Sequence, residues 1–281
     1  MKKLGLLGPK GTHSEEAALW LKKFLREDWR LEICADIFDV LTAVREKSLD
    51  AGLVPVENSL EGSINVTLDT LARSDTLTVA RELVWPVKNF LLTKPTADVK
   101  AVSKIFSHAQ PLAQCRNFLR QKFPDAEIVS TASSARAAEI VADAEENFAA
   151  IGTERAAKLN ALAATKIPDD ANNFTRFFEI RHRARDAAAI ENFDGDKVLL
   201  ICQIDGSRAG SLCDVLNEFA RRKVNLTRIE SRPARTILGA YIFFFELDTD
   251  AGDDNLRDAI RAVYDKSIWL KNLGTFPVIN A

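Results

Sequence analysis

The residues best suited to chemistry follow one another from Asn172 to Phe177, where the sequence reads Asn-Asn-Phe-Thr-Arg-Phe. The apolar residues that come next predict a strand, so amide, hydroxyl and guanidinium groups are expected at its start. The guanidinium of Arg176 can bind a carboxylate through two parallel hydrogen bonds. The hydroxyl of Thr175 can donate a hydrogen bond to a departing oxygen. By themselves these residues favour an ordinary strand residue and a surface arginine, so the rest of the chain has to decide the interpretation.

Five further polar clusters each stand directly after a predicted strand and before a predicted helix. They are residues 8–14, 57–63, 107–110, 130–134 and 152–154. In open α/β sheets ligands bind at the carboxyl ends of the strands, so these clusters should face a common space. Serine, threonine and asparagine dominate them. The pattern therefore predicts one polar cleft between two lobes, suited to a polyoxygenated or dicarboxylate ligand of modest size.

For two of these clusters the sequence allows both a functional and an ordinary structural interpretation. The glycine-rich turn at residues 8–14 opens a predicted helix, and Thr12 and Glu15 have the spacing of a capping box. Its free backbone N–H groups suit an anion, but an ordinary strand-to-helix turn explains it equally well. Glu57 follows a buried strand, so its carboxyl group is either partly desolvated with a raised pKa or a simple helix cap.

The order of predicted elements divides the chain into two domains. Strands and helices alternate over residues 1–181, which predicts an α/β fold with parallel strands and a second lobe at about residues 77–158. Residues 182–197 are charged and end in a turn, which is typical of a linker. Residues 198–281 predict the order βαββαβ of a ferredoxin-like domain. The run from Ala240 to Phe245 is too apolar for an exposed sheet face and favours pairing of two such sheets between subunits.

Composition excludes several classes of partner. The chain has 281 residues and a formal net charge of −2, so neither a nucleic acid nor a membrane surface is expected as partner. No apolar run is long enough to span a bilayer, and the amino terminus does not resemble a signal peptide. The four cysteines have no metal-ligand spacing and are predicted to be reduced core or near-core residues. These features predict a cytoplasmic protein that acts on a small molecule.

Several stretches, taken together and in order, resemble a known family. They are Gly8 to Ser14, Val54 to Ser59 (Val-Pro-Val-Glu-Asn-Ser), Ser107 to Cys115 (Ser-His-Ala-Gln-Pro-Leu-Ala-Gln-Cys) and Asn173 to Phe177 (Asn-Phe-Thr-Arg-Phe). They resemble prephenate dehydratase. Gly210 to Leu212 and Asn225 to Pro233, which contains Glu-Ser-Arg-Pro, resemble the regulatory ACT domain that follows it in the family. The resemblance covers essentially the whole chain.

The resemblance implies both a fold and a reaction. The fold is a two-lobed, doubly wound catalytic domain like that of periplasmic binding proteins, followed by a ferredoxin-like ACT domain. The reaction converts prephenate to phenylpyruvate in L-phenylalanine biosynthesis, with loss of carbon dioxide and water. Aromatisation drives it, so no redox or metal cofactor is implied. The enzyme has to hold two carboxylates and help a hydroxyl group leave.

Residue roles follow from the same resemblance. Thr175 is expected to donate a hydrogen bond to the leaving hydroxyl, with Arg176 as a carboxylate clamp and the helix start at residues 11–14 as a second anion site. Glu57 either acts as a neutral acid near the leaving group or orients Asn58. The remaining residues expected to line the cleft are Asn58, Ser107, Gln114, Thr12, Ser14, Ser59, Thr131, Asn173 and Phe177.

The ACT resemblance implies feedback control by L-phenylalanine, bound at a subunit interface of a homodimer or homotetramer. The expected effector-binding residues are Gly210, Ser211, Leu212, Asn225, Leu226, Glu230, Ser231, Arg232 and Pro233. A domain that only mediates assembly is the plainer alternative.

Three other functions remain open from the sequence. Arogenate dehydratase performs the same chemistry on the amino analogue of prephenate. A two-lobed protein that binds a small molecule without catalysis would have the same cleft. A regulator that only senses phenylalanine would need an output domain, and the sequence shows none.

Overall fold

The computed structural model describes residues 1–168, 172–183, 194–236, 239–250 and 252–281. These residues form three sheets with helices packed against them. The predicted linker at residues 182–197 lies mostly outside the described residues. Within the described part of the chain, no helix is long and apolar enough to cross a membrane.

The first lobe contains the amino-terminal elements and one returning strand. Its elements are β1 (Lys2–Leu7), α1 (His13–Leu25), β2 (Trp29–Cys34), α2 (Ile37–Arg45), β3 (Ala51–Asn58), β4 (Gly62–Ser63), α3 (Asn65–Arg73) and β5 (Leu77–Pro86). The chain leaves for the second lobe after β5 and returns later as β11 (Phe174–His182). β11 runs antiparallel between β3 and β5, while β1 pairs in parallel with β2 and β3.

The second lobe lies between β5 and β11 in sequence. Its elements are β6 (Phe90–Thr93), a short 3-10 helix (Val99–Ala101), β7 (Lys104–Ser107), α4 (Ala109–Gln114), α5 (Arg116–Lys122), β8 (Glu127–Ser130), α6 (Ser134–Asp143), β9 (Phe148–Gly152), α7 (Glu154–Leu159) and β10 (Ala163–Lys166). The strand order in the sheet is β10-β6-β9-β7-β8.

The predicted boundary of the second lobe, at residues 77–158, is wrong at both ends. β5 belongs to the first sheet because it pairs along its length with β11. β10 follows residue 158 and pairs with β6, so it belongs to the second sheet. Both pairings join strands that are far apart in sequence, and a local hydrophobic pattern does not contain that information.

The carboxyl-terminal domain has the predicted βαββαβ order. Its elements are β12 (Lys197–Ile204), α8 (Ser211–Arg221), β13 (Leu226–Pro233), β14 (Tyr241–Asp248), α9 (Asp253–Asp265) and β15 (Ser267–Phe276). The strand order β13-β14-β12-β15 leaves β13 and β15 at the edges. The structure confirms an α/β fold with two lobes followed by a ferredoxin-like domain.

The two faces of this third sheet have different partners. Helices α8 and α9 cover one face, where Phe219 and Phe245 lie in a shared apolar cluster. On the other face Ile242 and Phe244 belong to the same cluster as Phe178 of β11. The apolar run at residues 240–245 is therefore covered within the same chain, by α8 and α9 on one face and by the first lobe on the other. Its apolar character is explained without a second subunit, and pairing between subunits stays a prediction.

A last strand, β16 (Val278–Asn280), was missed by the sequence analysis. It pairs in parallel with β5, so the end of the chain returns to the first sheet. Three residues are too few to show a period of their own, which is why the pattern did not predict it. The pairing ties the carboxyl-terminal domain to the first lobe.

Candidate active site

A hydrogen-bonded network of polar side chains lies where the two lobes meet. The amide nitrogen of Asn58, at the end of β3, donates to Thr175 Oγ1 at 3.0 Å and to Asn173 Oδ1 at 3.2 Å. Asn173 Nδ2 donates to Gln114 Oε1 at 3.0 Å, and Asn89 Nδ2 donates to the same oxygen at 3.2 Å. Asn58 and Thr175 come from the first lobe and Gln114 from the second. Four of these five residues, all except Asn89, are among those that the sequence predicts for the cleft, and the structure brings them together.

The hydroxyl of Thr175 has a defined orientation among these hydrogen-bonded side chains. Its oxygen accepts the hydrogen bond from Asn58, whose own carbonyl oxygen accepts from the backbone N–H groups of Leu60 and Glu61. The amide of Asn58 is thereby fixed with its nitrogen towards Thr175. Within the described part of the chain Thr175 Oγ1 has no acceptor for its own proton. That proton is therefore available to a ligand at the cleft.

The turn before α1 holds the lobes together on the other side of the cleft. Thr153, fully buried at the start of α7, donates from Oγ1 to the carbonyl oxygen of Gly11 at 2.7 Å. Gly11 has φ +87°, and a Cβ there would lie 3.2 Å from the Cα of Ala156. Only glycine fits this contact without strain.

The predicted capping box is only half right. Thr12 takes the N-cap position of α1, but its hydroxyl donates to the carbonyl oxygen of Pro9 and does not cap the helix. Glu15 accepts from the N–H of Gly11 at 2.6 Å and pairs with Arg155 of the second lobe. The N–H of Gly11 is therefore not free for a substrate anion, because a carboxylate of the chain already occupies it.

Four other predicted cleft residues are engaged by the backbone or buried. The hydroxyl of Ser107 is buried and donates to the carbonyl oxygen of Ile151, and that of Thr131 donates to the carbonyl oxygen of Ser133. Ser59 Oγ donates to the carbonyl oxygen of Asn172 and accepts from the N–H of Phe174. Ser14 is buried in the first turn of α1. These contacts shape the loops around the cleft.

Phe177 does not line the cleft. Its side chain is 1% exposed and packs in the core cluster of the first lobe with Leu4, Leu6 and Trp29. The prediction that it binds substrate is therefore wrong, since the long apolar run after Thr175 is a core strand from Phe177 onward.

Arg176 lies on the opposite face of β11 from Thr175, as alternation along a strand requires. Its guanidinium donates two hydrogen bonds to Glu82 at 2.7 Å each, one to Glu57 at 2.6 Å and one to Glu246 at 2.6 Å. These four hydrogen bonds occupy most of the donors of the guanidinium with carboxylates of the chain, so it is not free to bind a substrate carboxylate through two parallel hydrogen bonds. The structure thus corrects the interpretation of Arg176 as a carboxylate clamp.

The charge states of Arg176 and Glu246 in this cluster depend on burial and on the opposite charges close to each of them. Burial disfavours the charged form of Arg176, but the hydrogen bonds that it donates to Glu82 and the charges of Glu246 and Glu82 outweigh burial and raise the pKa of Arg176. Burial also disfavours ionised Glu246, but the charges of Arg176, Arg228 and Lys197 outweigh it and lower the pKa of that carboxyl. Both groups are therefore held in their charged forms.

Glu57 is part of the same cluster and not of the cleft. Its carboxylate accepts from Arg176 and lies 3.6 Å from Nε of Arg228. It therefore faces the carboxyl-terminal domain, so the expectation of a neutral acid beside the leaving group is wrong. A cavity of about 480 Å³ runs along this face, and its walls include Glu57, Glu82, Arg176, Arg228 and Glu246.

The predicted effector residues do not lie in one place. Gly210, Ser211 and Leu212 line a cavity of about 250 Å³ at the start of α8, together with Tyr241 and Phe243. Glu230 and Arg232 instead turn to the first lobe, where Glu230 accepts from Ser63 and Arg232 donates to Asp69. Neither residue lines the cavity at α8, and their assignment to an effector site at a subunit interface stays a prediction.

The other predicted effector residues lie around β13. Asn225 donates to Asp248 at 2.7 Å, and Leu226 packs against the core beneath α8 and α9. Ser231 and Pro233 are exposed on the edge strand. None of these four lines the cavity at α8.

Several contacts of this region were not predicted. Asn89 had no signal in the sequence, and Thr153 stands in the polar cluster at residues 152–154, but nothing local predicts its contact with Gly11. Glu82 and Glu246 sit inside apolar strands. A charged residue in the middle of an apolar strand is the one feature that could have been noticed, since such a residue needs a partner. Its partner could not have been identified, because Glu82 and Glu246 lie 94 and 70 positions from Arg176.

No metal site is found among the described residues, in which no group of three or more His, Cys, Asp or Glu side chains could hold an ion. All four cysteines are free thiols. Cys115 and Cys202 are buried as predicted, but Cys213 is exposed on α8. Burial raises the pKa of the Cys202 thiol to about 11.

Comparison with known proteins identifies both parts of the chain. The family model described as "Prephenate dehydratase" matches residues 4–185, and the model described as "ACT domain" matches residues 199–263. A prephenate dehydratase of Methanocaldococcus jannaschii is 33% identical over 275 residues, which cover 97% of each chain. A bifunctional chorismate mutase/prephenate dehydratase of Aquifex aeolicus is 34% identical over 278 residues, covering 98% of this chain and 73% of that protein.

Solved structures show the same similarity. The crystal structure of prephenate dehydratase from Arthrobacter aurescens in complex with L-Phe has a TM-score of 0.87 and 30% sequence identity. The match covers 98% of this chain and 90% of that chain. The prephenate dehydratase of Staphylococcus aureus has a TM-score of 0.82 and 26% identity, covering 98% of this chain and 100% of that chain.

Proposed function

The chain belongs to the prephenate dehydratase family, and on that premise we propose that it converts prephenate to phenylpyruvate in the biosynthesis of L-phenylalanine. The observation that carries the proposal is the Thr175 hydroxyl, which is oriented by Asn58 and keeps its proton for a ligand. A threonine does not ionise usefully near neutral pH, so its contribution is a positioned hydrogen bond. The predicted cytoplasmic location stays a prediction.

The chemistry needs little more than this from the protein. The bond between the ring and its carboxylate breaks, and its electron pair enters the ring. The carbon–oxygen bond on the opposite side breaks, and the hydroxyl group takes a proton from water and leaves as water. Thr175 would stabilise the charge that develops on that oxygen, which is where a preorganised donor is most effective.

Substrate carboxylates would be held by backbone groups and amides. Because the Thr12 side chain does not cap α1, N–H groups of its first turn beyond Gly11 can serve an anion. Asn173 and Gln114, which hydrogen-bond to each other, would hold the substrate's other polar groups. Arg176 and Glu57 are left out of this proposal because they face the opposite side.

We also propose that the carboxyl-terminal domain, residues 198–281, binds L-phenylalanine and regulates the catalytic domain, residues 1–181. The relative from Arthrobacter aurescens is in complex with L-Phe. The cavity at α8 has a volume of about 250 Å³, a size that suits one amino acid. Tyr241 and Phe243 would contact the ring, and the first N–H groups of α8 would bind the carboxylate.

A homodimer or homotetramer is part of the same proposal. β13 is an edge strand of the third sheet, and Ile229 on it is exposed. Unpaired edge strands are available for pairing with another chain. A second copy pairing here would bring its own Ser231 and Pro233 close to the interface.

The test measures turnover of two substrates by the purified chain. We expect absorbance of phenylpyruvate to rise with prephenate, and to rise more slowly when L-phenylalanine is present. Formation of L-phenylalanine from arogenate, without turnover of prephenate, would reassign the substrate. No turnover of either would contradict an enzymatic function, and undiminished turnover with saturating L-phenylalanine would contradict the regulatory part.

A further inference from the structure

Strand β14 connects two places that the proposed function treats separately. Its first residues, Tyr241 and Phe243, line the cavity at α8. Three positions further along, Glu246 points through the opposite face of the sheet and contacts Arg176 of the catalytic lobe. With about 3.3 Å of rise per strand residue, only about 10 Å of one rigid strand separates Phe243 from Glu246.

Glu246 is buried and fully engaged by cations. Its side chain is 2% exposed, with Oε2 2.6 Å from Nη2 of Arg176 and Oε1 3.2 Å from Nη1 of Arg228. Lys197 lies 3.7 Å away. A buried carboxylate is retained only where such partners surround it, so its position is strongly constrained.

Arg176 stands next to Thr175, opposite an irregular point of β3. Arg176 pairs with Glu57 and Phe177 pairs with Pro55, so the extra residue of this bulge, Val56, lies on β3. Bulges next to active sites redirect side chains. Thr175 pairs with Asn58, just beyond the bulge, so the orientation of both side chains depends on what holds the start of β11 against β3.

The guanidinium of Arg176 holds the start of β11 in place through hydrogen bonds to residues of two domains. Glu82 of β5 accepts two of its hydrogen bonds, which anchor it to the first lobe. Glu246 accepts another bond from Nη2 and anchors it to the carboxyl-terminal domain. A shift of β14 relative to the first lobe would therefore displace Arg176, the residue next to Thr175.

We propose that Glu246 is a positioning residue for the reaction: through Arg176 it fixes the start of β11 and the aim of the Thr175 hydroxyl, and β14 transmits occupancy of the cavity at α8 to the cleft. The proposal rests on the proposed function. Its distinguishing feature is that a residue of the carboxyl-terminal domain, which does not belong to the polar network of the cleft, sets the catalytic rate.

The test compares Glu246→Gln with Glu218→Gln in the full chain. Glu218 is a matched control, since it is an ion-paired carboxylate of the same domain, 2.6 Å from Nη1 of Arg222, and its ion-pair partners all lie in that domain. For each variant we measure kcat and KM for prephenate, the L-phenylalanine concentration that halves the rate, and the melting temperature. Glu246→Asp is a second variant, which keeps the charge but withdraws it from Arg176, and it serves if Glu246→Gln does not fold.

We expect Glu246→Gln to lower kcat about tenfold with little change in KM, because a small misplacement of a catalytic donor is costly. The L-phenylalanine response should weaken by about fivefold or more, within the usual range of coupling between sites. Glu246→Asp should move both quantities in the same direction. Glu218→Gln should leave both unchanged, even if it lowers the melting temperature.

Two outcomes would overturn the proposal. A folded Glu246→Gln or Glu246→Asp variant with wild-type kcat and wild-type inhibition would show that Glu57 and Glu82 suffice to hold Arg176. Equal losses in Glu218→Gln would show a general effect of stability. A wild-type chain that does not turn over prephenate would instead contradict the proposed function, so the two failures are distinguishable.

Discussion

At the scale of residues, the cleft depends on a single directed hydrogen bond. Asn58 uses both ends of its amide, with the oxygen held by the backbone of residues 60 and 61 and the nitrogen aimed at Thr175. Because an amide nitrogen only donates, Thr175 Oγ1 has to accept, and its proton points elsewhere. The sequence predicted that Asn58 and Thr175 meet here, since Asn58 ends one strand and Thr175 lies at the start of another.

Replacing Asn58 by aspartate should reverse this hydrogen bond. A carboxylate cannot donate, so the Thr175 hydroxyl of an Asn58→Asp variant would give its proton to the new side chain and lose it for the substrate. We expect kcat for prephenate to fall by about 100-fold, the usual effect of losing one preorganised donor. Steady-state kinetics measure it, with Asn117→Asp on the exposed surface of α5 as the control. Unchanged kcat in Asn58→Asp would contradict the role of Asn58.

Arg176 shows where residue-level prediction fails. Alternation along a strand already places it on the other face from Thr175. A guanidinium beside a catalytic hydroxyl nevertheless suggested a carboxylate clamp, because the sequence does not show that Glu82 and Glu246 converge on it. The same limit explains Phe177, which the motif placed at the cleft and the fold buries in the core.

At the scale of elements, the turn before α1 joins the lobes through backbone contacts. Thr153 donates to the carbonyl oxygen of Gly11, and the small residues Ala135 and Ala156 allow the turn to approach closely. The glycine-rich sequence predicted a tight turn at a helix start. It did not predict contact with the second lobe, because that contact depends on residues more than 120 positions away.

Gly11→Ala should weaken this junction more than backbone strain alone would. The φ of +87° already disfavours alanine, and its Cβ would meet Ala156 at 3.2 Å. Gly62→Ala has a similar φ of +84° with nothing within 4 Å of the new Cβ, so it measures the strain alone. We expect Gly11→Ala to lower the unfolding free energy by at least about 1 kcal/mol more than Gly62→Ala. Equal losses in denaturant unfolding would show that the close approach of the lobes contributes nothing.

At the scale of the whole molecule, the carboxyl-terminal domain is packed into the catalytic domain. One apolar cluster includes Phe178 of β11 and Phe244 of β14, and β16 adds a strand to the first sheet. The order of predicted elements gave the fold class of both parts, an α/β fold followed by a ferredoxin-like domain. It did not predict that the second face of the third sheet would be covered within the same chain, since an apolar face fits a neighbouring lobe and a second subunit equally well.

The ion pairs between the domains predict a specific dependence on pH. The pKa of Glu246 is lowered from 4.5 by Arg176, Arg228 and Lys197, with Glu57 and Glu82 as the nearby carboxylates. A lowered folded-state pKa stabilises the fold above the unfolded-state pKa, and the gain is lost as pH falls through the folded-state value.

Near neutral pH, wild type should therefore exceed Glu246→Gln by about 2 kcal/mol in unfolding free energy. The difference should stay constant down to the ordinary carboxyl pKa of 4.5 and shrink below it. Urea unfolding at a series of pH values measures it. A difference that grows on acidification would contradict the ionised state of Glu246.

The most direct test of the account is the rate of phenylpyruvate formation from prephenate by Thr175→Val, beside Thr175→Ser and wild type. Valine keeps the shape of threonine and removes the hydroxyl, whereas serine keeps the hydroxyl, and Thr165→Val on the exposed strand β10 controls for the substitution itself. We predict that Thr175→Val loses about 100- to 1,000-fold in kcat while Thr175→Ser retains most of it. A folded Thr175→Val variant with wild-type kcat would contradict the central claim that this hydroxyl assists the departure of the substrate's hydroxyl group.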